Sequence, residues 1–382
     1  MLWLYWRRMR APVLAIFLAL ASLAGLAVGA GLLVGSDSQE EYSHAPAARP
    51  GAQFSHPALP VSTAGQQRGL ELMSTAVSAC ETVSYRGVQM VAWWGPQAAS
   101  AYLIQIWHRA GTPELTLGTS DIDAPASPVQ QAGSTRSGHV TSGVLTVAPW
   151  MLTLMRSNYL IEYVGSGSAI GRPAFIVAIR RRNGTLAARY WLDRATGLPL
   201  RREIFDTSGR LVNEGAFIDL HVGDADVKEV PPPSAPAWAS QPPATTLTAL
   251  RRAGWPVPAS LAGDMSLVSI TRTGSQNGSV LDASYSNGLS VVSVFVQRGR
   301  LPRKMPGWHV AEVSGERVYA SEPDQRSIAW AAEGFVYTVI ADAPPTTVAR
   351  IVAELPHERS QTFWQRVGRG LIRLTELINP FR

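Results

Sequence analysis

The stretch RPAFIVAIRRRNGTLAARYWLDRATGLPLRREIFDTSGRLVNEGAFIDL, residues Arg172–Leu220, decides the fold. It consists of short segments rich in β-branched and aromatic residues, and turn sequences separate them. Asn183-Gly184 is typical of a two-residue hairpin, while Ala195-Thr196-Gly197 and Thr207-Ser208-Gly209 predict two further tight turns. Because each turn reverses the chain, this stretch predicts an antiparallel meander.

The same pattern continues towards the N-terminus. Strands are predicted over Val83–Trp94, Ser100–Arg109 and Tyr159–Val164. Two helices interrupt them: apolar residues recur at helical spacing over Gln66–Cys80, and Ala148–Asn158 is apolar on nearly every side. Such helices must be covered on most of their surface. The sequence therefore predicts an α+β domain, a curved antiparallel sheet with both helices across its open face.

A proline-rich segment divides the chain, and a second, smaller α+β domain follows it. That domain has hairpin signals at Asn277-Gly278 and Asn287-Gly288, and a helix is predicted over Pro345–Leu355. The predicted organisation is an N-terminal membrane anchor or signal segment (1–35), a flexible tether (36–65), the first domain (66–225), the proline-rich linker (226–246), the second domain (247–356) and a basic amphipathic helix (357–382).

The N-terminus predicts a membrane segment. Arg7, Arg8 and Arg10 precede the uncharged stretch Ala11–Gly35, which exceeds the ~20 apolar residues needed to cross a bilayer. The basic cluster favours a single-pass protein of the cell membrane with a cytoplasmic N-terminus and extracytoplasmic domains. A cleaved signal peptide, leaving a secreted or periplasmic protein, is the alternative. Because no cysteine follows the apolar run, the sequence excludes anchoring by an acylated N-terminal cysteine.

The residue types that commonly carry out catalysis or bind metals form no recognisable motif in this sequence. The histidines are scattered, no HExxH or GxSxG motif is present, and Cys80 is the lone cysteine. Arg7, Arg8 and Arg10 contribute half of the net charge of +6, which leaves the rest of the chain nearly neutral. We therefore expect no enzyme activity, metal, cofactor or nucleic-acid partner.

Three segments, in order along the chain, resemble the MucB/RseB family of sigma-E regulatory proteins. The first is the family's WLD and TGLPLR signature, found at Trp191–Asp193 and Thr196–Arg201. The others are YSNGLSVVSVFVQ at Tyr285–Gln297 and FVYTVIADAPPTTVARIVAEL at Phe335–Leu355. The resemblance extends from about residue 66 to residue 356.

The resemblance implies a LolA-like N-terminal domain, an unclosed antiparallel β-barrel around a hydrophobic cavity. It also implies a non-enzymatic extracytoplasmic regulator that modulates an extracytoplasmic-function sigma factor. Family members bind the extracytoplasmic part of a membrane anti-sigma factor, protect it from proteolysis, and release it when lipid-like ligands signal envelope stress. A LolA-like lipid or lipoprotein carrier is the alternative, and either function makes an acyl chain the expected ligand.

Candidate residues follow from this interpretation. The side chains expected to line a hydrophobic cavity are Leu70, Met73, Met151, Leu154 and Met155. The alternative, that they fill a dry core, stays open. A structural role is predicted for the family motif residues Trp191, Asp193, Gly197, Leu198 and Pro199. Asp193 is expected to cap the turn, Gly197 to supply a positive φ, and Pro199 to restrain the returning strand.

Overall fold

The computed structural model describes residues 62–95, 99–111, 115–119, 144–223, 242–262, 264–274, 279–302, 304–321 and 327–357. The predicted anchor or signal segment and nearly all of the predicted tether lie outside these ranges, as does the predicted C-terminal helix beyond His357. Within the described ranges, no helix has both the length and the apolar character needed to cross a membrane.

An eight-stranded sheet forms the N-terminal unit, which we define as the described residues up to 223. Its strands are β1 (Tyr85–Trp94), β2 (Ala99–His108), β3 (Leu115–Thr119), β4 (Tyr159–Ala169), β5 (Arg172–Arg181), β6 (Leu186–Asp193), β7 (Pro199–Phe205) and β8 (Leu211–Val222). Their order is β3-β2-β1-β8-β7-β6-β5-β4, and every neighbouring pair is antiparallel. The edge strands β3 and β4 do not pair with each other across their described residues, so the sheet is unclosed.

Two helices cover this sheet. Helix α1 (Thr63–Thr82) packs on β4 and β5, and helix α2 (Pro149–Asn158) packs on β4. The predicted α+β class, with an unclosed antiparallel sheet and helices across its open face, is confirmed. Helix α1 begins at Thr63, within the predicted tether, because the Ser62 hydroxyl accepts a hydrogen bond from the Gly65 amide and caps the helix there.

A second eight-stranded antiparallel sheet forms the C-terminal unit, which we define as the described residues from 242 to 357. Its elements are α3 (Ala244–Arg252), β9 (Ser260–Leu261), β10 (Met265–Thr273), β11 (Val280–Ser286), β12 (Val291–Arg298), β13 (Trp308–Val313), β14 (Glu316–Ser321), β15 (Ser327–Ala332), β16 (Phe335–Asp342) and α4 (Pro345–Glu354). The strand order is β13-β14-β15-β16-β12-β11-β10-β9. The core of this unit includes Leu281 and Tyr285 of β11 and Ile351 of α4.

The sequence patterns missed several elements. No pattern predicted α3, β3, β9 or β10, and α3 begins inside the predicted proline-rich linker. The segment VAEVSGERVYAS, whose sequence pattern predicts a single strand, forms two strands, β13 and β14, because Ser314 and Gly315 adopt positive φ angles of 53° and 81° and turn the chain. The predicted turn at Asn277-Gly278 lies outside the described residues.

Candidate ligand-binding site

Helix α1 packs closely against the edge of the first sheet. A Cβ atom at Gly69 would lie 2.8 Å from the backbone nitrogen of Tyr163, so only glycine allows this approach. The helix turns Leu72, Met73 and Ala76 inward, and all three are buried. Leu70, one of the residues predicted to line a cavity, is partly buried and packs against the same cluster as these three.

Helix α2 lies beside α1 and starts with Pro149, whose fixed φ suits the first helical position. Met151, Leu152, Leu154 and Met155 are buried along it. At its other end, the Asn158 side chain lies against the C-terminal unit. The helix thus brings two methionines to the interior and a polar amide to the boundary between the units.

One buried apolar cluster fills the space between the two helices and the concave face of the sheet. It includes Met73, Met151 and Met155 from the helices, and Ile179 and Tyr190 from the sheet. Methionine side chains are flexible and adapt to varied apolar partners. The cluster is therefore the part of the N-terminal unit best suited to an acyl chain.

Buried polar groups border this cluster. Arg202 is 1% exposed and donates from one terminal guanidinium nitrogen to Asn213 Oδ1 at 3.1 Å. Asn213 in turn donates to the carbonyl oxygen of Ala92 at 3.2 Å. Burial raises the pKa of Tyr190, and the nearby positive charge of Arg202 opposes that rise. The interior thus combines an apolar wall with a fixed cation.

The C-terminal unit reaches into the same cluster. Leu289, at the tip of the β11–β12 hairpin, is 4% exposed and belongs to the cluster with Met151, Met155 and Tyr190. Gly288 beside it has a φ of 96°, and a Cβ atom there would lie 2.7 Å from the Met151 carbonyl oxygen and 2.7 Å from the Met155 nitrogen. The hairpin tip therefore touches the backbone of α2.

Polar contacts fix the position of the two units around that tip. Asn158 Nδ2 donates to the carbonyl oxygens of Asn287 at 3.2 Å and Asp264 at 3.3 Å. Elsewhere on the boundary, Trp93 Nε1 donates to Asp342 Oδ1 at 2.7 Å. A hydrogen bond to a charged group is stronger than one between neutral groups, so the Trp93 contact is a firm link between β1 and β16.

The predicted cavity residues occupy three different environments. Met73, Met151 and Met155 lie together in the buried cluster. Leu70 is partly buried, packs against the cluster, and also lines a surface groove beside Glu71 and Arg156. Leu154 is buried but is not part of the described cluster. Whether these side chains line a ligand cavity stays a prediction.

The family motif forms a turn held by a buried carboxylate. Both oxygens of Asp193 accept from Arg172, from Nε at 3.2 Å and from a terminal nitrogen at 2.8 Å. Asp193 Oδ2 also accepts from the Thr196 hydroxyl at 2.7 Å and the Thr196 amide at 3.2 Å. Burial tends to raise the pKa of Asp193, but these hydrogen bonds outweigh it and lower the pKa below its ordinary value.

The remaining motif residues shape and pack that turn. Gly197 has a φ of 82°, and a Cβ atom there would lie 2.9 Å from the Thr75 side chain of α1. The turn therefore rests directly on α1. Pro199 starts β7, and Leu198 is buried in a small cluster with Ala79. On the other face of the sheet, the Trp191 ring lies under the guanidinium of Arg201, at 4.9 Å from the ring centroid.

Cys80 lies where α1 meets the segment that leads into α2. Its thiol forms hydrogen bonds with the Thr146 side chain and the Val147 backbone. Burial raises the pKa of the thiol to about 11, and the two hydrogen bonds only partly offset this rise. A thiol in this state is a weak nucleophile at neutral pH.

Sequence reasoning missed three of the residues that define this interior: Tyr190, Arg202 and Leu289. For Tyr190 and Arg202, a signal was available in the alternation of β6 and β7, because every second residue of a strand faces the same side. For Leu289 no such signal exists, since its role depends on how the two units pack. Across the described residues, no group of three or more histidine, cysteine, aspartate or glutamate side chains could hold a metal ion.

This arrangement defines a class of protein: an unclosed antiparallel sheet with an apolar interior, covered by two helices and by the hairpin of a second unit. Residues 123–237 match the family model described as the MucB/RseB N-terminal domain. These residues are thus similar to the MucB/RseB N-terminal domain, which confirms the resemblance found in the sequence. No curated protein matches the chain.

Three solved structures illustrate what this chain is similar to. A complex of MucA and MucB from Pseudomonas aeruginosa has 20% identity and a TM-score of 0.47, and the match covers 77% of this chain and 100% of that one. A structure of MucB has 20% identity and a TM-score of 0.49, with coverage of 78% and 99%. A LolA superfamily protein from Nitrosomonas europaea has 9% identity and a TM-score of 0.18, with coverage of 73% and 92%.

Proposed function

We propose that this protein is a non-enzymatic extracytoplasmic regulator that binds the extracytoplasmic part of a membrane anti-sigma factor and thereby modulates a sigma factor. The observation that carries the proposal is the match of residues 123–237 to the MucB/RseB N-terminal domain. That range includes the motif turn built on Asp193 and Gly197, together with the whole of α2.

We further propose that the regulator senses a lipid-like ligand through its N-terminal unit. Support comes from the buried cluster around Met73, Met151 and Met155, which offers apolar contacts to an acyl chain. Burying about ten methylenes at ~0.8 kcal/mol each gives roughly 8 kcal/mol, which corresponds to about micromolar affinity before ordering costs. An affinity of that order suits a sensor that must release its ligand again.

The remaining parts of the proposal concern where the protein lies and how it is divided. We propose that residues 1–35 anchor it in the cell membrane with the N-terminus in the cytoplasm, and that the predicted tether, which ends where α1 begins at Thr63, connects this anchor to the two domains outside. The predicted domains, residues 66–225 and 247–356, each contain one of the two eight-stranded sheets. The basic helix proposed for residues 357–382 would dock on the second domain; the alternatives are that it lies on an anionic lipid surface or contacts a partner.

The partner is tested by crosslinking the tagged full chain in the membranes of its own host. We expect a single-pass membrane protein that also co-precipitates a sigma factor through its cytoplasmic part. The matched control is residues 1–61 fused to an unrelated extracytoplasmic domain, which should capture neither protein. Recovery of no membrane protein that binds a sigma factor, at a crosslinking yield sufficient to detect other neighbours, would contradict the proposal.

A LolA-like lipid or lipoprotein carrier is the second candidate. The open sheet with helices over an apolar concave face is the observation that favours it. A carrier must transfer its lipid to an acceptor, so native mass spectrometry should find bound lipid, and donor vesicles should lose labelled lipid to acceptor vesicles. Bound lipid without such transfer would leave sensing as the function of the site.

A further inference from the structure

We propose that the tip of the β11–β12 hairpin occupies the acyl-chain site of the N-terminal unit, so that an acyl ligand and Leu289 compete for the same space. This inference rests on the proposed lipid sensing. It adds the identity of the competitor, which is a segment of the chain itself. The ligand class is a single long acyl chain, and its binding would separate the two units at the hairpin.

Leu289 lies inside the unit to which it does not belong in sequence. Its side chain belongs to the C-terminal unit in sequence, yet it is buried among Met151, Met155 and Tyr190 of the N-terminal unit. By contrast, Leu281 on the same hairpin points into the core of its own unit. One apolar side chain of the hairpin is thus committed to the interior of the other unit, where an acyl chain would also have to bind.

The backbone of the hairpin tip fits closely against α2. Because a Cβ atom at Gly288 would lie 2.7 Å from the backbone of α2 at both Met151 and Met155, the tip lies against the helix with no room for a side chain. An acyl chain that entered between α2 and the sheet would meet this tip. Because protein interiors are close-packed, the site has no room for both the acyl chain and the Leu289 side chain.

Hydrogen bonds within the hairpin tip hold its shape. Asn287 Oδ1 accepts hydrogen bonds from the amides of Leu289 at 3.1 Å and Ser290 at 3.0 Å. Ser286 Oγ accepts from the Gly288 amide at 3.0 Å. The hydrogen bond from Asn158 Nδ2 to the Asn287 carbonyl oxygen ties the tip to the N-terminal unit, and it does not take part in this internal network. The hairpin therefore keeps its shape when it leaves the site.

Competition of this kind lowers the apparent affinity for the ligand by the fraction of molecules in which the site is open. Shortening Leu289 removes apolar contacts that hold the site closed. We expect the Leu289→Ala variant to bind an acyl chain about tenfold more tightly than the wild type. The Leu289→Val variant should move in the same direction by a smaller factor.

The test labels the full chain in living cells with a photoreactive, alkyne-bearing palmitate. After irradiation, labelled peptides that contain α2 are quantified by mass spectrometry, and limited trypsin digestion verifies that each variant is folded. The matched control is Leu281→Ala, which removes the same atoms from the same hairpin but on the face turned to its own core. Expected is a several-fold rise in labelling at α2 for Leu289→Ala and little change for Leu281→Ala.

Three outcomes overturn the inference: equal labelling of the wild type and both Leu289 variants, an equal rise in the Leu281→Ala control, or no labelling of α2 in any folded variant. Capture of the membrane partner is measured on the same cells. If the partner is captured but labelling does not respond, the competition is refuted and the proposed regulator stands. If labelling responds but no partner is captured, the competition stands and the regulator is refuted.

Discussion

Two hairpins of this protein turn on the same dipeptide and have opposite surroundings. In the β5–β6 hairpin, Gly184 has a φ of 86°, and no atom lies within 4 Å of where its Cβ would be. In the β11–β12 hairpin, Gly288 has a φ of 96° and lies against the backbone of α2. The Asn-Gly pair explains both turns. The turn itself thus depends on its own dipeptide, whereas the contacts of its tip depend on which elements pack against it.

The acidic residues of the two hairpins differ in a parallel way. Asp193, which ends β6, is buried with Arg172 as its ion-pair partner. Asp282, in β11, is largely buried and has one carboxylate oxygen, Oδ1, with no hydrogen-bond partner. Burial raises the pKa of Asp282 to about 6, whereas the pKa of Asp193 is lowered. The two carboxylates should therefore give the protein opposite responses to pH.

The largest expected effect is on the first hairpin. Asp193→Ala removes the carboxylate that accepts hydrogen bonds from Arg172 and from the amide and hydroxyl of Thr196, so we expect a loss of about 3 kcal/mol in the free energy of unfolding at pH 7. Because the folded-state pKa is lowered, the carboxylate stabilises above its unfolded pKa near 4, and the cost of the mutation should shrink as pH falls below that value.

Urea unfolding of the full chain in detergent micelles, followed by tryptophan fluorescence, measures this loss. Asp219→Ala is the matched control, since its side chain is 56% exposed and its removal should change stability by less than about 0.5 kcal/mol. A similar small change for Asp193→Ala would show that the motif turn does not depend on its carboxylate.

The next effect has the opposite sign and lies in the second hairpin. Between its unfolded pKa near 4 and its folded pKa of about 6, Asp282 binds more protons in the folded state, so stability falls as pH rises through that window. Asp282→Asn removes this penalty and should stabilise the protein by at most about 3 kcal/mol at pH 7, with no gain from this source at pH 4. Unfolding curves at both pH values measure it, and an equal gain at pH 4 and pH 7 would refute the explanation.

A third prediction compares the two tips directly. Gly184→Ala and Gly288→Ala both force alanine into a left-handed conformation, which costs about 1 kcal/mol in either hairpin. Only at Gly288 does the new methyl group collide with α2, which adds about 2 kcal/mol. The same unfolding measurement on both variants isolates this excess, and equal losses would mean that the tip does not touch the helix in solution.

The smallest expected effect concerns Asn183 and Asn287, the asparagines of the two turns. Asn183→Ala exposes its hydrogen-bonding partners to water and should cost less than about 0.5 kcal/mol. Asn287→Ala leaves the amides of Leu289 and Ser290 buried without their acceptor, so we expect a loss of about 1 kcal/mol or somewhat more. Hydrogen exchange of the Leu289 amide provides a second measurement, and it should accelerate in Asn287→Ala and stay unchanged in Asn183→Ala.

Local patterns carried the prediction of the first sheet. The turns at Asn183-Gly184 and Ala195–Gly197 each contain a glycine, which readily adopts a positive φ angle, so the meander could be predicted from the sequence. The strand β3 was not predicted, because it has only five residues, LTLGT, and the glycine among them weakens the strand pattern. The interior was only partly predictable: the apolar face of α2 pointed to Met151 and Met155, while Leu289 required knowledge of the packing between units.

The reactivity of Cys80 reports on the opening of the N-terminal unit. Its thiol is held between α1 and the segment before α2, and a pKa of about 11 instead of 9.0 leaves roughly a hundredfold less thiolate at neutral pH. Since thiolate is the form that alkylating reagents attack, each separation of α1 from that segment would be recorded as a burst of alkylation at the single cysteine. The rate of alkylation would then report how often the interior opens, and no additional cysteine would have to be engineered.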